Sequence, residues 1–396
     1  DSAWFSAVEA EVYAMSSFFT AFVVWAMLKW ESHADEPQGD RWLILIAYMM
    51  GLSIGVHLLN LVTIPALGYI YYFRRHKVNT RGLVVTGVVS MVVLGLVQAG
   101  IITGLPSIAN EFELIFVNSL GLPFYSGIIF FIVLFVGAIV YALEYTRKKG
   151  KVMANTAILG FAFIIIGYCS YGIIPTRSSF NPPIDENNPE NAMSFLSYLK
   201  REQYGDRPLL YGPLYNAEPI ATEKGAPVYI KGEKNYKLIE YKMQNRYADK
   251  DKTLLPRIYS PQPNHIEAYK RWVKLPPRDK KPSFAQNLQF MFRYQIGWMY
   301  VRYFMWNFAG RAGDAQDSNW LAPWEGTEGL PELMANSRAR NQFYMLPFIL
   351  GVLGLVFHYR KNVHGASIVG LLFFFTGIAI VIYLNQPPVE PRERDY

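Results

Sequence analysis

The sequence predicts a mainly α, polytopic membrane protein: a multi-helix transmembrane bundle carrying a small α+β extracytoplasmic region. Three observations predict it. The 396 residues are 52% hydrophobic and only 17% charged, unlike a soluble globule. Apolar runs of about eighteen residues or more recur, the length a helix needs to cross a bilayer. Between two groups of such runs lies a polar stretch, 175–340, too long for a simple connector and punctuated by proline turns.

The first apolar run, 12–30, is closed by Lys29 and a polar linker, 31–41. Residues 42–73 then stay apolar for about thirty residues, and one helix of that length would reach about 48 Å. Two short crossings joined by a turn near 55–60 fit a bilayer better. That turn holds His57 and Asn60, polar groups that are costly in a membrane unless they line a protein interior or a wet cavity. Were the helix to run straight through, Ser53, His57 and Asn60 would share one face. A histidine hydrogen-bonded between packed helices is the equally available structural reading. A basic cluster follows, Arg74, Arg75, Lys77 and Arg81.

Run 83–105 leads into an expected loop, 103–123, with Asn110, Glu111 and Glu113. Run 124–145 ends on Arg147-Lys148-Lys149-Gly150-Lys151, and 154–174 opens into the polar region. The last runs, 343–359 and 366–384, are separated by Arg360 and Lys361. Short loops rich in Lys and Arg stay in the cytoplasm, and loops 74–81, 146–151 and 359–364 obey that rule together only if 42–73 crosses twice. About eight crossings result, by the same rule. Residues 1–174 carry about six of them and 341–396 two, with the His57 turn, 175–340 and the tail outside.

Within 175–340, a helix is expected over 189–203 and strands at 228–230 and 236–243. From 284 to 308 aromatics alternate with Arg293 and Arg302, the composition of a helix lying at headgroup level.

The formal charge of +7 marks no nucleic-acid partner, because the basic residues recur at the ends of apolar runs. A single cysteine, Cys169, permits no intrachain disulfide. No phosphate-binding Gly-x4-Gly-Lys-Ser/Thr loop, His-Glu-x-x-His, Gly-x-Ser-x-Gly or Cys-x-x-Cys occurs, which argues against an ATP-driven machine or a zinc hydrolase. The six histidines lack metal-ligand spacing.

The chemistry-bearing candidates all fall on the outer side. Glu9-Ala-Glu11 could hold a divalent cation through oxygen ligands or serve as a base; a solvated helix start with favourable acids is the structural alternative. His57 and Asn60 form the second group. Arg392-Glu393-Arg394-Asp395 is the third, because the planar arginine fork matches phosphate oxygens, although a salt-bridged tail would look the same. Arg177, and Arg201 with Tyr204 and Tyr211, read as structural.

The runs Trp4-Phe-Ser-Ala-Val-Glu-Ala-Glu-Val-Tyr13, Gly51-Leu-Ser-Ile-Gly-Val-His-Leu-Leu-Asn60, Arg201-Glu-Gln-Tyr-Gly205, Tyr303-Phe-Met-Trp-Asn-Phe-Ala-Gly310 and Pro391-Arg-Glu-Arg-Asp-Tyr396 carry a family resemblance. The chain resembles a large polytopic membrane family of Bacteroidota, long catalogued as a domain of unknown function and also called protein O-mannosyltransferase-like. That resemblance covers essentially the whole chain. It implies a type C glycosyltransferase fold in the bacterial inner membrane, with 175–340 in the periplasm. It further implies a polyprenyl-phosphate sugar as donor, mannose by the family name, and a protein Ser or Thr hydroxyl as acceptor. Glu9 and Glu11 match an acid-x-acid motif of the fold, and His57 and Asn60 stand where its Gly-rich turn often carries a lysine near the donor phosphate. Arg392 and Arg394 would stabilise the leaving phosphate. The family begins with earlier spans and an acidic first loop, so the chain is expected to be an internal fragment. A non-catalytic membrane subunit with an extracytoplasmic partner-binding region, and a lipid or solute transporter, are the competing classes; the latter wants a continuous polar path across the spans.

Overall fold

The computed structural model describes residues 7–8, 12–205, 207–277, 280–313 and 317–388. It is mainly helical, with three small two-stranded sheets, and divides into two units. One comprises 11–206 with 224–244; the other holds 207–223 and the chain from 245 onward. Among the described residues, four helices are long and apolar enough to cross a membrane: Thr80–Ser119, Ser126–Lys148, Val152–Ser178 and Val363–Leu384.

In the first unit, α1 (Tyr13–His33) buries Ser16, Phe19, Val23, Ala26, Met27 and Trp30, a stripe at helical spacing. The 42–73 run is broken, as its length required. Helix α2 (Arg41–Ile54) ends at Gly55, His57 is extended, a 3-10 turn spans Leu58–Thr63, and α3 (Ile64–Arg75) begins with proline in its first turn. Ser53, His57 and Asn60 therefore do not share one continuous helix face. At the far end of α3, Arg74 Nε donates to the Glu31 carbonyl and Arg75 Nη2 to that of Ala34, while both guanidiniums pair with Asp35. The 31–41 linker and the basic cluster thus meet.

Helix α4 (Thr80–Ser119) corrects the expected loop at 103–123: the chain stays helical for 40 residues. Proline ordinarily breaks a helix, since it lacks an N–H and its ring strikes the carbonyl four residues back. Here the π-helical stretch Leu96–Gly104 precedes Pro106 and widens the turn that receives the ring. At 1.5 Å per residue α4 is about 60 Å long, twice the hydrocarbon core. Helices α5 (Ser126–Lys148) and α6 (Val152–Ser178) follow, and Ile129, Val133, Val136 and Val140 of α5 stand exposed, as on a lipid-facing surface. Helices α2 and α6 touch backbone to backbone. A Cβ on Gly51 would lie 2.2 Å from the Ile164 carbonyl oxygen, and one on Gly167 would lie 2.5 Å from that of Tyr48. Only the missing side chains allow this approach.

The expected helix at 189–203 is α7 (Ala192–Leu199), opened by an Asn191–Ser194 capping box, plus a 3-10 turn at Glu202–Tyr204. The two strand-like pieces pair as β2 (Pro219–Lys231) and β3 (Tyr236–Tyr247), while β1 (Tyr211–Pro213) runs antiparallel to β4 (Lys252–Leu254).

The second unit's core gathers Leu214, Tyr215, Ile258, Tyr269, Val273, Phe290, Tyr294 and Met299. These come from α8 (Pro263–Trp272), the loops before it, and α9, a continuous helix over 284–308 whose middle is π-helical. The helix expected over 284–308 is present. Of its two arginines, Arg293 is exposed, whereas Arg302 is 2% exposed and lies between the rings of Trp298 and Trp306, at 4.6 and 5.1 Å. Gly310, at φ +134°, opens β5 (Gly310–Arg311), which pairs with β6 (Asn341–Gln342); only glycine tolerates that conformation so close to the Asn341 carbonyl. Helices α10 (Leu346–Lys361) and α11 (Val363–Leu384) close the described chain.

Candidate functional site

The polar turn between α2 and α3 is the one sequence-predicted site that the described residues contain. Ser53 sits in the last turn of α2 and donates Oγ–H to the Met50 carbonyl at 2.7 Å. Asn60, fully buried, donates Nδ2–H to Ser53 Oγ at 2.8 Å, so the turn folds back onto the helix that precedes it. Thr63 Oγ1 donates to the Asn60 carbonyl at 2.7 Å and closes the network. Asn60 Oδ1 remains a buried acceptor without a hydrogen-bond partner. His57 caps the 3-10 turn, its Nδ1 accepting from Leu59 N–H at 3.2 Å, a role that needs the ring neutral at that nitrogen. Its ring lies 5.7 Å from that of Tyr13, the first residue of α1.

The start of α1 and the polar turn are therefore adjacent. Glu9 and Glu11 themselves lie outside the described residues, as do Arg392 and Arg394. Among the described residues no group of three or more His, Cys, Asp or Glu is placed to hold a metal ion. Arg177 lies in the last turn of α6, and Arg201 adopts a left-handed φ of +55° ahead of the Glu202–Tyr204 turn. In the run containing Arg201, Glu202 accepts from Ser197 Oγ and pairs with Lys242 of β3. Burial pushes the Glu202 carboxyl up, but the Lys242 and Ser197 hydrogen bonds outweigh it and leave the group below the usual carboxylate range. Those contacts tie the hairpin to α7.

Two buried polar clusters escaped the sequence reading. The first centres on Glu113, fully buried on α4. Its carboxylate accepts from the backbone N–H of Tyr125 at 2.6 Å, Gly127 at 3.1 Å and Ile128 at 3.3 Å, and from Tyr236 Oη–H at 3.1 Å. An anion at the start of α5 satisfies N–H groups that have no intrahelical partner and complements the helix dipole. Asn118, one turn on, pairs with both the N–H and the carbonyl of Tyr236 at 2.9 Å each. Burial, then the Glu113 charge, raises the Tyr236 hydroxyl above its ordinary value. Glu113 is thus occupied in holding α4, α5 and the hairpin tip together. Its position in a presumed loop hid this role; Gly127 was the available clue, since its backbone lies against that of Phe112 and Glu113.

The second cluster lies where α11 ends. Asn385, at φ +44°, terminates the helix and donates Nδ2–H to the Pro208 and Pro256 carbonyls at 2.8 Å each. Gln295 Nε2–H reaches Asn385 Oδ1 and the Gln386 carbonyl at 3.1 Å each, and the Tyr259 and Tyr294 hydroxyls donate to the carbonyls of Asn385 and Pro388. Arg257 belongs to the same cluster. Its members are separated by up to 177 residues, so no spacing signal exists to find them.

Residues 1–80 match the family model of the protein O-mannosyl-transferase TMEM260 N-terminal domain, and 205–292 match a family of unknown function, DUF8416. No curated protein and no solved structure matches. The first match covers Glu9, Glu11, His57 and Asn60 and stops before the long polar region.

Proposed function

We propose that the chain carries out protein O-glycosylation as part of a membrane glycosyltransferase, moving a sugar, mannose by the family resemblance, from a polyprenyl phosphate to a Ser or Thr hydroxyl outside the cytoplasm. What supports the reading is the match of 1–80 to an O-mannosyl-transferase domain together with the contact of Tyr13 with His57. That contact brings the chain, two residues after Glu11, beside the polar turn. In this reaction the acceptor oxygen bonds to the sugar's anomeric carbon as the bond from that carbon to the phosphate oxygen breaks. The acceptor's proton passes to Glu9 or Glu11, and the lipid phosphate departs with the bonding electrons. Asn60 and His57 would orient the donor, and Arg392 and Arg394 would face the charge developing on the leaving phosphate.

The test uses the full chain in membranes, a radiolabelled polyprenyl-phosphate mannose and a Ser/Thr-containing acceptor peptide. Glu9→Gln and Glu11→Gln should each leave the protein folded, and at least one should lower transfer about 10²-fold or more. Unchanged transfer in both would remove these acids from the reaction, and no transfer by the wild type in the presence of its partners would remove the function.

A further inference from the structure

A helix leaves its last carbonyls without intrahelical partners. At the end of α11, two of them are taken by arginines from the polar region: Arg257 Nη1 donates to the Ile382 carbonyl at 2.7 Å and Arg207 Nη1 to that of Leu384 at 3.2 Å. Cations suit this end of a helix dipole. Capping accounts for one edge of the Arg257 guanidinium and leaves the other unexplained. Arg257 is fully buried, yet its Nε and Nη2 have no hydrogen-bond partner, and no carboxylate of the described residues pairs with it. Those two nitrogens form the side of the fork that holds an oxyanion through two parallel N–H···O bonds.

The edge is held in place. Asn287 Oδ1 accepts from the backbone N–H of Arg257 at 2.6 Å and of Ile258 at 3.2 Å, while Asn287 Nδ2 donates to the Leu255 carbonyl at 2.7 Å. With Nη1 fixed on Ile382 as well, the guanidinium cannot turn its free edge toward another carbonyl. Burial lowers the Arg257 guanidinium from its ordinary value, with the nearby Tyr259 acting in the opposite sense. A buried, half-bonded cation of this kind is strongly disfavoured unless an anion accompanies it. In the same network the Gln295 side-chain oxygen is also buried without a partner, an acceptor suited to a protonated oxygen or a hydroxyl.

Depth selects the anion. Helix α11 has 22 residues, and at 1.5 Å each a helix of that length is about 33 Å, one hydrocarbon core. Its final turn therefore falls at headgroup level, where phosphate is the anion a bilayer presents.

We propose that the Nε and Nη2 edge of Arg257 binds the phosphate of a membrane lipid where α11 leaves the bilayer. The edge is enclosed, so a headgroup reaches it as its neighbours move apart. A phospholipid and a lipid-linked sugar phosphate present the same group, and the inference does not depend on sugar transfer.

The experiment follows the unfolding midpoint of the full chain, purified in a neutral detergent, as dodecyl phosphate, inorganic phosphate or dodecanol is added. Dodecyl phosphate should raise the midpoint saturably by several degrees, with little effect from the other two. Arg257→Lys retains a charge but loses the two-donor edge, and should need about tenfold more dodecyl phosphate for the same shift. Arg257→Met should lose the shift while unfolding, without phosphate, no lower than the wild type, because the unpaired buried charge is gone. No shift in the wild type, or the same shift in all three proteins, would overturn the proposal. Inorganic phosphate acting as well as dodecyl phosphate would overturn the assignment to a lipid. If Arg257→Met does not fold, Arg257→Lys decides the matter alone.

Discussion

Glu113 and Tyr236 show how a single buried charge is kept. Three backbone N–H groups and one hydroxyl surround the carboxylate, so removing it leaves several donors unsatisfied at once. Glu113→Ala should therefore destabilise the first unit by about 3 kcal/mol, and Tyr236→Phe by about 1 kcal/mol, in thermal or chemical unfolding in detergent. The direction with pH follows from the raised Tyr236 hydroxyl. A tyrosine whose value is higher folded than unfolded contributes stability that is complete below the unfolded value, near 10, and is lost as pH rises past it. Raising pH from about 9 to 11 should lower the unfolding midpoint, and Tyr236→Phe should flatten that fall. An equal fall in both proteins would assign it elsewhere, Tyr269 and Tyr300 in the second unit being the other buried tyrosines of the polar region with raised values.

Between elements, the crossing of α2 and α6 depends on what is absent. Gly51→Ala places a methyl where the Ile164 backbone already sits, and backbone cannot give way as a side-chain tip can. Overpacking of this sort should cost about 1–3 kcal/mol. Gly137→Ala on α5, where nothing lies within 4 Å, supplies the contrast. Relief of glycine's chain entropy should make it neutral or stabilising by about 0.5–1 kcal/mol. Comparable losses in both variants would show that the close crossing does not govern stability. Helix α4 teaches a related lesson. Asn110, Glu111 and Glu113 after Pro106 read as a loop because polarity and proline usually mark one. Packing overrides both: Asn110 donates to the Ala192 carbonyl at 2.8 Å and Glu113 to nothing but accepts four bonds, so these two are consumed inside the unit while Glu111 stays exposed.

For the molecule as a whole, the distribution of Lys and Arg implies a topology that labelling can test. Lys77→Cys and Ile230→Cys, each in a Cys169→Ser background, should react with an impermeant maleimide from opposite sides of the membrane. Lys77 and Ile230 are both exposed, so access at each reports on sidedness. Labelling of both from one side would invalidate the three crossings between them and the outward placement of the long polar region. The same approach places the helix at 284–308. Phe292→Cys carrying a nitroxide should show the shallow depth of the headgroup region in collision measurements; a mid-bilayer depth would make α9 a crossing.

Taken alone, the sequence determined the membrane class, the break in 42–73, the helix after residue 189, the two strand segments and the helix at 284–308. Each is written in near neighbours: run length against bilayer thickness, alternation along a strand, a glycine and polar residues at a turn. It also singled out His57 and Asn60 as polar groups that must be accounted for within an apolar run. Tertiary structure alone decided how they are accounted for, with Ser53 and Thr63 closing one network around Asn60 and Tyr13 lying against His57. It alone decided that Glu113 holds a helix start and that one buried edge of Arg257 is left without a partner. Hydrogen bonds between residues 12, 123 or 125 positions apart leave no periodic trace. Their geometry exists only once the helices have packed, because burial removes water as the alternative partner and makes each remaining donor and acceptor count.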